Sequence, residues 1–266
     1  MRRAMSKYFR TADNVLLHYY DLGAGRTLIV VSGWTIAAEV WLKHTELLAR
    51  MFRLVLLDSR SQGYSEQSRP TNWLARQAAD LGELLAHLRR EYVVLLGWSM
   101  GASQILQYVS QFGTSGISAL VFVDTFFVQP KWMKKEVERL ITELREDRVR
   151  STERYVRNMY KTPVSAEYLN AIVTGCLRTP TEVAVGLLEG FLQQTDWRPA
   201  LAKIDRPVLY VSQQALAGEA ELLRENVSGI EVEIFTASGH ALFAEESNRF
   251  NALVASFINR RCEHIT

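Results

Sequence analysis

The pentapeptide Gly-Trp-Ser-Met-Gly at residues 97–101 has the pattern G-x-S-x-G. The apolar run before it, residues 92–96, indicates a buried strand, and residues 102–109 after it have the composition of a helix. Ser99 therefore falls at a sharp turn between strand and helix, as in a nucleophile elbow. Glycine suits both flanks of this turn, because a Cβ there would clash with neighbouring backbone. The turn exposes the serine hydroxyl and places the Met100 N–H at the positive end of a helix dipole.

Strand and helix patterns alternate on both sides of this turn. Several apolar runs lack the alternation of a half-exposed strand, which is typical of a parallel sheet covered by helices on both faces. Predicted strands occupy residues 7–11, 15–22, 27–31, 52–57, 117–123, 208–211 and 232–235. Predicted helices occupy residues 39–50, 73–90, 219–225 and 245–259. The sequence thus predicts an α/β fold with a mostly parallel, doubly wound sheet.

The alternation stops between residues 126 and 197. A highly charged helical run covers residues 131–160, and two further helices are predicted at 165–177 and 181–193. We interpret residues 126–197 as a helical cap inserted after the strand that ends at Asp124. Residues 1–125 and 198–266 then form the core.

Composition excludes several classes of protein. The chain has 31 basic and 29 acidic residues and a formal net charge of +2, so no nucleic-acid footprint is expected. No apolar run follows the first arginines and none is long enough for a membrane span, so neither a secretory signal nor a membrane partner is expected. Cys176 and Cys262 fit no metal or redox spacing. We expect a cytoplasmic protein without metal or cofactor, and the sequence does not predict its oligomeric state.

The strand–elbow–helix unit, the later helical insert and a Gly-His pair near the end together resemble the α/β-hydrolase superfamily. The segment Asp58-x-Arg60-x-x-Gly63 looks like the D-x-R-x-x-G turn of its esterase and haloperoxidase-like branch. That branch usually carries His-Gly-aromatic where this chain has serine, glycine and Trp34. The resemblance implies an oxyanion hole made by the N–H groups of Trp34 and Met100. We expect Asp58 and Arg60 to fix their turn through local hydrogen bonds and an ion pair.

A serine hydroxyl needs a base, and His240 is the best candidate because it follows the last predicted strand, where the superfamily carries its base. The other histidines have ordinary structural explanations as exposed or packed side chains. They are His18, His44, His87 and His264.

The orienting acid departs from the superfamily pattern. Most relatives place it after the strand at residues 208–211, but the following loop, residues 212–218, contains no carboxylate. Asp124 ends an apolar strand, where burial of a carboxylate is costly unless a partner compensates for it. We predict Asp124 as the acid, as in some superfamily members. Glu219 is the second candidate, and Asp124 could instead only cap its turn.

Aromatic residues near the predicted strand ends are candidates for the substrate pocket. They could equally fill the core or attach the insert to it. The predicted pocket residues are Trp98, Phe126, Phe127 and Trp132.

These elements favour a serine hydrolase, specifically a carboxylesterase that cleaves small apolar esters through Ser99, His240 and Asp124. The same His–Asp pair also fits a second class, cofactor-free dioxygenases on this fold. That group resembles a Gly-Trp-x-His turn, whereas here residues 33–36 are Gly-Trp-Thr-Ile without histidine. A non-catalytic ligand receptor is the third alternative, and the intact serine, histidine and elbow argue against it.

Overall fold

The computed structural model describes residues 4–68, 72–89 and 92–262 and is built on one eight-stranded sheet. The strands are β1 Met5–Arg10, β2 Leu16–Gly23, β3 Thr27–Val31, β4 Arg53–Leu57, β5 Val93–Trp98, β6 Ile117–Val123, β7 Val208–Gln213 and β8 Glu231–Phe235. They lie in the order β1-β2-β4-β3-β5-β6-β7-β8. The first two strands pair antiparallel, and β3 to β8 run parallel. The predicted mostly parallel α/β sheet is confirmed.

Eleven α-helices lie within the described residues. They are α1 Glu46–Met51, α2 Trp73–Leu88, α3 Met100–Phe112, α4 Lys131–Glu146, α5 Arg148–Asn158, α6 Ala166–Leu177, α7 Thr181–Gln193, α8 Arg198–Leu201, α9 Glu219–Asn226, α10 Leu242–Glu245 and α11 Ser247–Cys262. In this part of the chain no single helix is long and apolar enough to cross a membrane. One pair, α6 and α7, passes such a test together by length and composition only, with a bend of 85°.

Both faces of the sheet are buried, as the continuous apolar strands predict. On β5, Val94 and Leu96 pack into a cluster that includes residues of α1 and α11. Val93 and Leu95, which point the other way, pack into a second cluster with residues of α2 and α3. The central strand is therefore held from both sides, which fixes the position of its carboxyl end.

The helix predicted at residues 39–50 is broken in the structure. A 3-10 helix at Ala38–Trp41 is followed by a turn, and α1 begins only at Glu46. Trp41 is fully buried and its ring stacks on Phe243 at 3.8 Å between centroids. The Thr45 hydroxyl donates to the Trp41 carbonyl at 2.7 Å and closes the turn. Aromatic packing therefore overrides the helical pattern here.

Two further breaks divide predicted helices at acidic residues. The run at 131–160 separates into α4 and α5 at Asp147, whose side chain accepts a hydrogen bond from the Arg150 N–H and caps α5. The C-terminal helix is likewise interrupted at Glu246, between α10 and α11.

Helices α4 to α7 form the segment between β6 and α8. The two ends of this segment are joined, because Val128 and Asp196 form an isolated antiparallel bridge. Beside it, the Trp197 N–H donates to the Phe127 carbonyl at 2.8 Å. The first and last residues of the helical segment therefore lie side by side where it connects to the rest of the chain.

The glycines of the pentapeptide are required by close backbone contacts. A Cβ at Gly97 would lie 2.6 Å from Ala102 Cα, and a Cβ at Gly101 would lie 2.2 Å from the Val31 carbonyl oxygen. Rigid backbone cannot yield to such contacts as a side chain could. The turn between β5 and α3 therefore depends on both glycines.

We expect Gly101→Ala to lower the free energy of unfolding by about 3 kcal/mol, the scale of overpacking in a rigid site. Urea denaturation monitored by circular dichroism measures this change. Gly218→Ala is the matched control, because no atom of the described residues lies within 4 Å of a Cβ there and its φ is −64°. Equal stability of the two variants would contradict the close packing at Gly101.

Candidate active site

Three residues with unusual backbone angles gather at the carboxyl ends of neighbouring strands. Thr35, Ser99 and Asp124 follow β3, β5 and β6 and have φ of 57°, 56° and 47°. A non-glycine residue with positive φ costs on the order of 1–3 kcal/mol, and such residues cluster at functional sites. This edge of the sheet therefore has the backbone strain that is typical of a functional site.

Ser99 is fixed between the end of β5 and the start of α3. Its N–H donates to the Val123 carbonyl at 2.9 Å, and its ψ is −122°. Gly33 packs against it, since a Cβ at Gly33 would lie 3.2 Å from Ser99 Cβ. Met100 is the first residue of α3, so its N–H has no acceptor within the helix. The turn expected from the sequence is present.

His240 and Asp124 form a hydrogen-bonded pair. His240 Nδ1 lies 2.6 Å from Asp124 Oδ2, and the Asp124 side chain is completely buried whereas that of His240 is 23% exposed. The Trp98 indole Nε1 donates to the His240 carbonyl at 2.9 Å and holds the backbone of that loop. The imidazole is therefore oriented from inside the protein while its other face reaches the cavity.

Gln213 is a member of this constellation that sequence reasoning missed. Its N–H donates to Asp124 Oδ1 and its side-chain Nε2 donates to Asp124 Oδ2, both at 2.8 Å. Gln213 ends β7, the strand after which most superfamily members carry their acid. The signal that could have identified it is this position, since an amide there can bind a carboxylate on the neighbouring strand.

Glu219, the second candidate for the acid, lies elsewhere. Its Oε2 accepts a hydrogen bond from the Phe127 N–H at 2.8 Å. Burial raises the pKa of the Glu219 carboxyl, and backbone N–H groups partly offset this effect. Among the described residues, the carboxylate hydrogen-bonded to His240 belongs to Asp124 alone.

The other histidines of the described chain have different partners. His44 Nε2 lies 2.7 Å from the Tyr168 hydroxyl, and His87 Nε2 lies 3.3 Å from the Tyr19 hydroxyl. His18 is hydrogen-bonded to Asp58 and to Ser6. His264 lies outside the described residues.

Trp34 connects the turn after β3 to the helical segment. Its indole Nε1 donates to the Ala184 carbonyl at 2.8 Å, and its ring meets the Tyr155 ring edge-on at 4.8 Å between centroids. Within the described residues, the backbone N–H groups of Trp34 and Met100 donate to no acceptor. Both residues line the cavity described next, so both N–H groups are candidates to bind an anion there.

A cavity of about 470 Å³ contains Ser99, His240, Asp124 and Gln213 in its wall. Its remaining lining is mainly apolar and comes largely from the helical segment. The apolar lining includes Trp34, Met100, Phe126, Trp132, Met133, Val137, Leu140 and Leu188. The cavity thus combines a small polar centre with a large apolar wall, the usual character of a small-molecule site.

The structure divides the four predicted pocket residues. Phe126 and Trp132 line the cavity. Trp98 and Phe127 do not, and the prediction is wrong for them: they are 1% and 0% exposed and pack in the core. Trp98 faces His240 at 5.1 Å between ring centroids, so it supports the histidine rather than the substrate.

Asp58 and Arg60 have the expected structural roles but not the expected ion pair. Asp58 accepts hydrogen bonds from the N–H groups of Ala38 and Tyr64, at 2.6 and 3.0 Å. The buried Arg60 guanidinium instead pairs with Asp80 Oδ1 at 2.7 Å. The two side chains therefore tie their turn to different elements, since Ala38 begins the 3-10 helix and Asp80 lies on α2.

No group of three or more potential metal ligands occurs in residues 4–68, 72–89 and 92–262. The centre described above therefore consists of a hydroxyl, an imidazole, a carboxylate and amide donors.

Comparison with known proteins gives consistent matches along the chain. The family described as alpha/beta hydrolase fold matches residues 26–247. The AB hydrolase superfamily protein YisY of Bacillus subtilis is 25% identical over 272 aligned positions, which cover 96% of this chain and 100% of that protein. A non-heme haloperoxidase of Rhodococcus erythropolis is 24% identical, covering 94% of this chain and 98% of that protein.

Among solved structures, an esterase from Exiguobacterium antarcticum superposes with a TM-score of 0.89. It covers 96% of this chain and 100% of its own at 22% sequence identity. A likeness at this identity concerns the fold alone.

Proposed function

The chain belongs to the alpha/beta hydrolase fold family, and from this premise we propose that it is a serine carboxylesterase of small apolar esters. Ser99 is the proposed nucleophile, His240 the base and Asp124 the orienting acid. The observation that carries the proposal is the 2.6 Å contact between His240 Nδ1 and Asp124 Oδ2 in the wall of the cavity that also contains Ser99. Similarity to a pimeloyl-[acyl-carrier protein] methyl ester esterase of Vibrio campbellii, 26% identical over 256 aligned positions that cover 91% of this chain and 98% of that protein, supports a hydrolase of ester bonds.

In the proposed mechanism, the Ser99 oxygen attacks the ester carbonyl while His240 Nε2 accepts the hydroxyl proton. The resulting oxyanion is stabilised by the N–H groups of Trp34 and Met100, each worth about 3 kcal/mol in the transition state. His240 then protonates the departing alcohol, and a water molecule repeats the sequence to release the acid. Asp124 holds the imidazole tautomer and stabilises the imidazolium without taking the proton.

Among the described residues, the Ser99 hydroxyl and the His240 imidazole are not hydrogen-bonded to each other. Such bonds are often long in free enzymes and become short only in the substrate complex. Residues 126–197 would act as the cap that supplies the apolar wall, so ester groups of matching shape would be selected there.

The decisive experiment compares three activities of the purified protein. We expect turnover of p-nitrophenyl butyrate and rapid labelling of Ser99 by a fluorophosphonate, located by peptide mapping. Oxygen consumption with a quinolone, without ester turnover, would favour the dioxygenase alternative, which uses the same His–Asp pair. Absence of both turnover and labelling at Ser99 would favour the ligand receptor.

The apolar wall predicts how chain length affects turnover. Val137→Trp fills part of the cavity, so we expect kcat/KM for p-nitrophenyl octanoate to fall about tenfold and that for the acetate to change less than about twofold. Loss of burial for two methylene groups accounts for roughly this effect. Val149→Trp is the control, because Val149 lies on α5, is 50% exposed and is not among the residues that line the cavity. An equal loss with both esters would contradict a role for Val137 in binding the acyl chain.

The expectations of a cytoplasmic protein, without nucleic-acid or membrane partners, stay predictions.

A further inference from the structure

A second serine, histidine and aspartate form a chain of hydrogen bonds near the β1 edge of the sheet, where Ser6 lies on β1, His18 on β2 and Asp58 directly after β4. Ser6 Oγ lies 2.8 Å from His18 Nε2, and His18 Nδ1 lies 2.7 Å from Asp58 Oδ2. The catalytic mechanism proposed above uses none of these three groups. Their connection is the same as in a Ser–His–Asp triad, with the nitrogens of the imidazole in the same roles.

The partners of Asp58 fix which histidine nitrogen carries the proton. Its two oxygens accept hydrogen bonds from the N–H groups of Ala38 and Tyr64, at 2.6 and 3.0 Å, so the carboxylate is the acceptor in both bonds. His18 Nδ1 must then be the donor to Asp58. In the neutral imidazole this leaves the Nε2 lone pair free to accept from the Ser6 hydroxyl.

Burial separates the base from solvent but leaves the hydroxyl accessible. The side chains of His18 and Asp58 are fully buried, whereas Ser6 is exposed on β1, at the edge of the sheet. The rings of Tyr8 and Tyr64 lie 5.0 and 5.4 Å from the His18 ring and are themselves nearly half exposed. An exposed serine is thus joined to a protected His–Asp pair beside aromatic rings.

We propose that Ser6 is a second nucleophile of this protein, which is acylated by activated aryl esters. Ser6 Oγ forms a bond to the acyl carbon while the bond from that carbon to the aryl oxygen breaks. His18 Nε2 accepts the hydroxyl proton and returns it to the departing aryl oxide, so the products are an O-acylated Ser6 and a neutral phenol. The tyrosine rings offer an apolar surface to the aryl group.

The surroundings of Ser6 differ from those of Ser99 in one respect that determines the outcome. Ser6 lies within β1, paired opposite Tyr20, rather than at a turn that opens into a helix N-terminus. An oxyanion hole supplies about two to three orders of magnitude in rate, so a serine without the N–H groups of a helix N-terminus beside it is deacylated as well as acylated more slowly. The acyl group therefore persists on Ser6, and the site behaves as a modification site rather than as a second turnover centre.

The test uses the full chain with Ser99→Ala, so that the site in the cavity does not contribute. The protein is treated with p-nitrophenyl acetate, and acetylation is followed by peptide mapping with fragment sequencing that separates Ser6 from Lys7. General base catalysis is worth about 10²–10⁴-fold, so Ser6 should be acetylated at least about a hundredfold faster than the exposed Ser228. His18→Gln should reduce the rate at Ser6 to that of Ser228, and Ser6→Ala should leave the peptide unmodified.

Equal rates at Ser6 and Ser228 in the same protein would overturn the proposal, and this comparison does not depend on whether His18→Gln folds. Acetylation of Lys7 in place of Ser6 would overturn it as well. An unchanged rate at Ser6 in folded His18→Gln would show that the imidazole gives no activation. None of these results bears on ester turnover at Ser99, which is measured separately in the protein with Ser99 intact.

Discussion

Ser99→Ala is expected to lower kcat for p-nitrophenyl butyrate by about 10⁶-fold, the scale of removing the nucleophile from a serine hydrolase. Without the hydroxyl no acyl-enzyme can form, and only oxyanion binding and positioning of the ester remain. Those contributions leave roughly 10³–10⁴-fold over the reaction in water. Steady-state kinetics with enzyme at high concentration measures the residual rate.

The substitution should leave the fold intact, because alanine keeps the Cβ that packs against Gly33. It also keeps the same positive φ, so the strain at the turn is unchanged. Ser103→Ala on α3 is the matched control: its hydroxyl is buried and makes no hydrogen bond to any described residue. That variant should retain full activity and similar stability.

Retention of more than about 1% of kcat by Ser99→Ala would contradict the proposed nucleophile. If Ser99→Ala lost ester turnover but kept oxygen consumption with a quinolone, the dioxygenase alternative would be separated from the esterase, because only the esterase requires the hydroxyl. Fluorophosphonate labelling at the peptide that contains Ser99 should disappear in the same variant.

The central part of the fold was predictable because its physical signals are local. Continuous apolar strands such as Val93–Trp98 require burial on both faces, and the G-x-S-x-G turn requires glycine next to crowded backbone. The comparisons confirm the resemblance to the esterase and haloperoxidase-like branch of the superfamily. Strand ends in a parallel sheet meet at one edge, so Ser99 and Asp124 could be expected near each other.

Contacts made by tertiary packing were not predictable in the same way. Trp98 and Phe127 are aromatic and lie near strand ends, as residues of a substrate pocket often do, and only the direction of their side chains places them in the core. The break between Trp41 and Glu46 follows from the stacking of Trp41 on Phe243, some two hundred residues away in sequence. Gln213 was missed because an amide carries no charge signal, although its position on β7 determines which carboxylate it binds.

Asp124→Asn is expected to lower kcat by about 10⁴-fold, or about 5.5 kcal/mol of transition-state stabilisation. The carboxylate oxygen 2.6 Å from His240 Nδ1 accepts a hydrogen bond from that nitrogen, whereas an amide can present a donor and favour the wrong tautomer. The size of the side chain does not change, so the sheet and the cavity should persist. Kinetics with p-nitrophenyl butyrate and thermal unfolding together distinguish loss of orientation from loss of fold.

A second substitution tests whether orientation of the imidazole is the cause. Gln213 Nε2 lies 2.8 Å from the same Asp124 oxygen, so Gln213→Glu in the Asp124→Asn background returns a carboxylate to within reach of His240. We expect this double variant to recover about tenfold in kcat over Asp124→Asn alone. In the protein with Asp124 intact, Gln213→Glu should instead reduce activity, because two carboxylates would then share one site.

Gln214→Glu, at the exposed next position, should rescue nothing. Rescue by Gln214→Glu equal to that by Gln213→Glu would show that added negative charge, rather than a positioned acceptor, restores the base.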